Sequence, residues 1–169
     1  MKKSSPLNAV NWKQVIIYFI AFWLISHGAL ALSYLFDLQL SEILRLSYNP
    51  KGEISANNYE ASRLADLNLF LALGRTIGLL FAFGIAFLLA KKIRGNWVNP
   101  VVAFVIALVL GIFNLLAWSI LQSVFLTPGS RFSGSSYYVV NGLVLIILGL
   151  IILWVNHLSR KQRYAHRGV

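Results

Sequence analysis

The chain has 169 residues, of which 58% are hydrophobic and only 12% are charged, and its formal net charge is +10. Soluble domains are typically about a quarter charged, so this composition excludes an ordinary soluble domain. The chain has no cysteine. That excludes thiol–disulfide exchange, iron–sulfur ligation by cysteine and thiolate zinc sites.

Four apolar runs are long enough to cross a bilayer, since about 20 helical residues at 1.5 Å each span its core. We place them at residues 15–36, 67–90, 98–125 and 137–156. The longest connection, the outer loop 37–66, is too short for a separate soluble domain. The sequence therefore predicts one integral membrane domain over residues 1–169, an all-α bundle of four transmembrane helices in up-down order.

The charges are segregated along the chain. All five carboxylates lie between Asp37 and Asp66, on the side that also holds Arg45, Lys51, Arg63 and Arg131, whereas both ends and the connection between spans two and three are basic without acidic residues. The ten basic residues of those segments are Lys2, Lys3, Lys13, Lys91, Lys92, Arg94, Arg160, Lys161, Arg163 and Arg167. The positive-inside rule then places the N- and C-termini in the cytoplasm, with the protein in the plasma membrane.

The beginning of the chain also resembles a cleavable secretory signal, with Lys2 and Lys3 before an apolar core and Ala29-Leu30-Ala31 after it. However, the apolar run is about twice a typical signal core and continues to Phe36. We expect the first span to be retained. Cleavage would leave three spans in the same orientation.

His27 is a polar position late in the first span. It lies about 14 Å inside the outer end, counting nine residues at 1.5 Å each. A histidine hydrogen-bonded to a neighbouring helix and a ligand-contacting or proton-handling histidine both fit this position. No second histidine lies within the predicted spans, so paired axial ligation of a haem is not expected.

Arg75 is the one charged residue deep in a predicted span, about 12 Å below the outer boundary of the second. A central arginine costs at least about 2.5 kcal/mol on insertion, so it needs a partner, a wet cavity or a path to the headgroups. Asn68 shares its helix face, and Asn114 on the third span, with Trp118 on the same side, is the best candidate neighbour. Alternatively, the side chain of Arg75 extends toward the phosphates of the outer leaflet and needs no partner within the bundle.

Small residues recur at every fourth position on the second and third spans. The two stripes are Gly74, Gly78, Ala82, Ala86 and Ala90 on the second, and Ala103, Ala107 and Gly111 on the third. Such stripes let helix backbones approach closely. They predict that spans two and three pack directly together. On span four, Gly142, Gly149 and Asn156 repeat at seven and predict another packing seam.

The polar residues of the outer half converge on one pocket if their helix faces meet. Arg75 would be its fixed charge, and His27, Asn114, Gln122 and Asn141 lie in the same half of the membrane. The candidate ligand-binding residues are Arg75, His27, Asn114, Asn68 and Trp118. Such a pocket suits an anion, most simply a lipid phosphate or a carboxylate. The pocket would open outward, since the other half of the spans is almost purely apolar.

Catalysis is not expected, because no paired intramembrane carboxylates, metal-ligand spacing or nucleophile elbow occurs. No cofactor, metal or nucleic-acid partner is expected either. The first expectation is a non-enzymatic accessory or interaction subunit that binds a membrane-protein partner or a second copy of itself. The alternative is a lipid- or small-anion-binding protein, or a transporter component, that uses the pocket at Arg75.

Overall fold

The computed structural model describes residues 10–47, 58–92, 97–112 and 128–166, which form only helices and turns. The helices are α1 (Trp12–Ser33), α2 (Leu38–Ser47), α3 (Asn58–Lys92), α4 (Val98–Ile112) and α5 (Ser135–His166), and a 3₁₀ turn (Tyr34–Asp37) joins α1 to α2. Three helical segments are long and apolar enough to cross a membrane: Trp12–Glu42, Ser62–Lys92 and Ser135–Gln162. The described part of α4 is apolar but shorter.

The starts of α1 and α4 are tied together by two asparagines. Asn11 caps α1, because its side chain accepts a hydrogen bond of 3.3 Å from the backbone N–H of Gln14. The backbone N–H of Asn11 in turn donates to Oδ1 of Asn99 at 2.9 Å. Asn99 lies in the first turn of α4 rather than before it. Its side chain therefore joins two helices at one end of the bundle.

Helix α1 is the centre of the bundle and packs against α3, α4 and α5. Its apolar side chains surround the helix instead of forming one stripe. Most of them are covered by the other helices, and one face, with Ile16 and Ile20, stays exposed. Its fully covered residues include Val15, Tyr18, Ala21, Phe22 and Ile25.

Close contacts give the relative directions of the helices. On α5, a Cβ added to Gly142 would meet Leu32 and one added to Gly149 would meet Ile25, so α5 is antiparallel to α1. On α3, the space beside Gly74 is filled by Ser33 and that beside Gly78 by residues near Ile25. Helix α3 is therefore also antiparallel to α1, and the bundle has two distinct ends.

In the described residues all carboxylates lie at one end of the bundle, together with arginines such as Arg63, and the charged residues of the other end are all basic. Asp37, Glu42 and Asp66 lie where α1 ends and α3 begins, and we call this the acidic end. The basic end, where α1 begins and α5 ends, carries Lys13, Lys91, Lys92, Arg160 and Lys161. The charge segregation of the sequence is thus a separation in space.

The described parts of the second and third spans, α3 and α4, are in contact as predicted, but Gly74 and Gly78 of the small-residue stripe meet α1 instead. Gly74 and Gly78 lie against α1, where a Cβ on Gly78 would be 3.0 Å from the Cα of Ser26. Between α3 and α4 the contact includes the rings of Phe83 and Phe104, with centroids 4.6 Å apart. The reason is the central position of α1, which takes the close approach that small residues permit. Ala82 and Ala103 are fully buried in the shared core, and Ala107 is partly buried against it.

Candidate functional site

A cavity of about 320 Å³ lies between α1, α3 and α4. This is within the range of small-molecule sites. Most of the lining is apolar, from side chains such as Phe19, Leu79 and Leu108. Its polar lining residues are Trp23, Ser26, Arg75 and Thr76. The cavity is therefore a largely apolar space with a small polar group that includes one permanent positive charge.

Arg75 reaches the cavity from α3 and lies beside α4. A Cβ added to Gly111 would be 3.5 Å from Nη2 of Arg75, which places the guanidinium directly against that glycine. Within the described residues Arg75 makes no hydrogen bond and no ion pair. Gly111, predicted as a helix-packing residue, thus makes room for the guanidinium.

The other polar groups that line the cavity differ in whether they already have a hydrogen-bond partner. The Thr76 hydroxyl donates to the carbonyl oxygen of Ala72 at 2.8 Å, and the Ser26 hydroxyl donates to that of Trp23 at 3.5 Å. The indole Nε1 of Trp23 is buried and has no hydrogen-bond partner in the described part of the chain. Arg75 and Trp23 are therefore the groups that lack a partner, and both can only donate. A ligand that satisfies them must be an acceptor.

His27 is close to this cavity but does not line it. Its side chain is 1% exposed, and its Nδ1 lies 2.8 Å from the carbonyl oxygen of Trp23. Because a carbonyl oxygen only accepts, the proton is on Nδ1. The ring of His27 also contacts the edge of the Trp23 ring, with centroids 5.3 Å apart, and the charge of Arg75 is near enough to act on it. His27 thus supports the wall that Trp23 forms.

Of the remaining predicted site residues, the structure describes only Asn68. Asn68 is exposed on α3 and is not among the lining residues. Asn114 and Trp118 lie outside the described residues. Phe19, Trp23 and Thr76 line the cavity although the sequence did not single them out as ligand-binding residues. Thr76 directly follows Arg75, and Trp23 shares a helix face with His27, so these two had a usable signal.

An ion pair closes the acidic end of the bundle next to α3. Arg63 binds Asp37 through two nitrogens, with Nε 2.8 Å from Oδ2 and Nη2 2.7 Å from Oδ1. The backbone N–H of Leu40 also donates to Oδ1 at 3.1 Å. Asp37 follows the predicted first span. The hydrogen bonds from Arg63 and then from Leu40 lower the pKa of its carboxyl below the ordinary value of 3.8.

Within the described ranges, no three histidine, aspartate or glutamate side chains come together as a metal site. Comparison of the chain with protein-family models, with curated proteins and with solved structures finds no match. The class of this protein therefore follows from its own structure. It is an all-helical bundle with three helices apolar and long enough to cross a membrane, which indicates a membrane protein.

Proposed function

We propose that the protein crosses the plasma membrane four times in alternating directions, with both termini in the cytoplasm. The fourth crossing would be the predicted span 98–125, of which α4 is the described part. The separation of acidic and basic ends supports this orientation, because basic residues are retained on the cytoplasmic side. Large apolar side chains on the bundle surface, such as Ile77, Leu80 and Ile151, support contact with lipid.

Within the membrane we propose that the protein binds an anionic group in the cavity at Arg75. The observation that carries this proposal is a guanidinium that lines a cavity without any described hydrogen bond or ion pair. A charge held in this way is costly in a membrane interior. An anionic ligand would offset that cost by pairing with the guanidinium, and arginine suits the planar oxygens of a carboxylate or phosphate.

The lining also supports a ligand with an apolar part. The polar residues Arg75 and Trp23 share the cavity with Phe19, Leu79 and Leu108. An anion alone would leave these apolar surfaces in contact with water, whereas an acyl chain would cover them. A lipid therefore fits the whole lining better than a small inorganic anion. This function is binding and includes no catalytic step.

Function as an accessory or interaction subunit without a ligand stays a prediction from the sequence. The exposed apolar faces of α3 and α5 fit lipid as well as they fit a partner helix, so they do not favour it. These faces do not favour self-association either, because they fit lipid as well as they fit a second copy of the chain.

Native mass spectrometry of gently extracted protein tests the proposal. We expect wild-type protein to retain an anionic species, and its mass distinguishes a lipid from a small anion. Arg75→Gln removes the charge and should lower the number of retained anions by one while the protein stays folded. Arg131→Gln is the matched control, since Arg131 is exposed in the turn before α5. It should retain the species as wild type does.

Two results would contradict the proposal. One is equal retention of the anion by wild type and Arg75→Gln. The other is an Arg75→Gln protein that unfolds or dissociates although wild type carries no anion, which would make Arg75 a structural residue. Thermal unfolding followed by circular dichroism, measured on the same samples, distinguishes these two results.

A further inference from the structure

A second cluster of buried polar side chains lies at the basic end, far from the Arg75 cavity. It is formed by α1 and α5. Its members are Gln14, Tyr18, Asn156, His157 and Arg160, each no more than 9% exposed. Nη1 of Arg160 donates to the Tyr18 hydroxyl at 2.7 Å, which joins the two helices.

The register of the two helices places these residues opposite one another. Gly149 lies against Ala21 and Ile25. One heptad further along α5 is Asn156, and one heptad back along α1 are Gln14 and Tyr18. Since α1 and α5 are antiparallel, Asn156 faces Gln14 and Tyr18. Arg160 and His157 then follow within one turn of Asn156 on the same side of α5.

Arg160 is a buried charge with no carboxylate partner among the described residues. Its side chain is 6% exposed, and within the described residues its one hydrogen bond is to Tyr18. Every aspartate and glutamate lies in the segment 37–66, which starts and ends at the acidic end. Asp37 is nineteen residues from Tyr18, roughly 28 Å along the helix axis. A buried charge without a counter-charge is strongly unfavourable, so an anion bound at Arg160 would stabilise this cluster.

The cluster also holds three buried polar atoms that have no partner in the described part of the chain. They are Nδ2 of Asn156, Oε1 of Gln14 and Nδ1 of His157. Nδ2 of Asn156 is a donor and, with the free nitrogens of Arg160, suits a phosphate oxygen. Oε1 of Gln14 is an acceptor and needs a hydroxyl or another N–H. Unpaired buried groups of both kinds indicate a missing ligand with both acceptors and a donor.

We propose that this cluster binds the headgroup of an anionic phospholipid of the cytoplasmic leaflet, one that carries a hydroxyl beside its phosphodiester. Arg160 and Asn156 hold the phosphate, and Gln14 accepts from the hydroxyl. The site rests on the proposed membrane orientation but not on the Arg75 cavity. Arg160 lies four residues beyond the predicted end of the fourth span, about 6 Å, which is the level of the headgroups.

The surroundings favour a lipid over a protein carboxylate. Lys13 and Lys161 are exposed at the same end and add positive potential, which attracts anionic lipids to the cytoplasmic surface. Trp12 and Trp154 are also exposed there, at 63% and 57%, as expected for side chains at the headgroup level. A zwitterionic lipid is disfavoured because its ammonium group would lie near the guanidinium.

The test uses full-length protein in nanodiscs of phosphatidylcholine with a minor fraction of phosphatidylglycerol, whose glycerol headgroup provides the hydroxyl. Lipids retained after release are counted by native mass spectrometry. We expect wild type to retain phosphatidylglycerol selectively and Arg160→Gln to reduce its apparent affinity about tenfold, the loss of one charge-assisted contact. Lys161→Gln is the matched control, since it removes an exposed neighbouring charge and should change retention little. The comparison of wild-type Arg160 with Arg160→Gln is repeated in an Arg75→Gln background, so that lipid held in the Arg75 cavity is not counted.

Equal retention of phosphatidylglycerol by wild type and Arg160→Gln would overturn the proposal. A loss of retention in Lys161→Gln as large as that in Arg160→Gln would also overturn it. If Arg160→Gln does not fold, Asn156→Leu decides the question, because Nδ2 of Asn156 has no protein partner to lose. It should fold and retain less phosphatidylglycerol, and unchanged retention would contradict the site. Displacement of the lipid by inorganic phosphate at comparable concentration would show a phosphate site instead.

Discussion

Gly28 and Gly142 face each other across the contact between α1 and α5. A Cβ added to Gly28 would lie 2.7 Å from the carbonyl oxygen of Gly142, and one added to Gly142 would lie 2.9 Å from that of Gly28. Both obstacles are backbone atoms, which cannot rotate away. The two helices therefore approach as closely as they do because neither residue has a side chain.

Gly28→Ala is expected to lower the free energy of unfolding by about 1–3 kcal/mol, since the added methyl forces α1 and α5 apart. Gly84→Ala is the control, because a Cβ at Gly84 would meet nothing within 4 Å. It should be neutral or stabilise by about 0.5–1 kcal/mol through helix propensity. Unfolding in detergent, followed by circular dichroism, measures both. Equal effects of the two changes would contradict the close contact.

Gly74 provides a test of which helix the α3 stripe meets. A Cβ there would collide with the Ser33 side chain of α1, so Gly74→Ala should destabilise the protein. Because the obstacle is a side chain, Ser33→Gly should relieve it. We expect the double variant to be more stable than the sum of the single effects by about 0.5–3 kcal/mol. Strict additivity would mean that Gly74 faces another helix.

This stripe shows what the sequence could and could not predict about the fold. The spacing of Gly74 and Gly78 predicts that the helix has a face that another backbone approaches. It does not identify that backbone, because Ala103 and Ala107 on the third span have the same spacing. The choice depends on α1 being central, and its small residues at this contact, Ser26, Ala29 and Ser33, do not recur at every fourth position. Its uniformly apolar circumference is the better signal.

The ion pair between Asp37 and Arg63 predicts a specific pH dependence. The pKa of Asp37 is lowered in the folded protein. The pair therefore stabilises above the ordinary carboxyl pKa of 3.8, and this contribution is lost as the pH falls through the lowered value. At neutral pH, Asp37→Asn should destabilise the protein by about 1 kcal/mol. The difference from wild type should disappear at a pH below both values. Thermal unfolding across this pH range measures it, and a constant difference would contradict the assignment.

The polar residues show a second limit of sequence reasoning. Counting residues gives the depth of His27 and Arg75 in the membrane, but the direction of each side chain depends on local contacts. The bond from His27 to the Trp23 carbonyl turns its ring out of the cavity lining. In the sequence, Arg160 is one of the basic residues that indicate the orientation, and nothing there predicts its burial. Helix α5 continues past the predicted end of the span to His166, and the Tyr18 hydroxyl holds the guanidinium in the interface.

Trp23→Phe tests the role of the unpartnered indole N–H in the Arg75 cavity. Phenylalanine keeps an aromatic ring beside His27 but removes Nε1. Because Nε1 has no described partner, the change should cost folding little beyond about 1 kcal/mol for the lost ring volume. If the ligand accepts a hydrogen bond from Nε1, its affinity should fall about 5- to 30-fold, since the oxygen it contacts loses a donor. Titration of the anionic species identified with wild type measures this change, followed by its effect on the unfolding temperature. An unchanged affinity would leave Arg75 as the binding donor and exclude Trp23 from contact with the ligand.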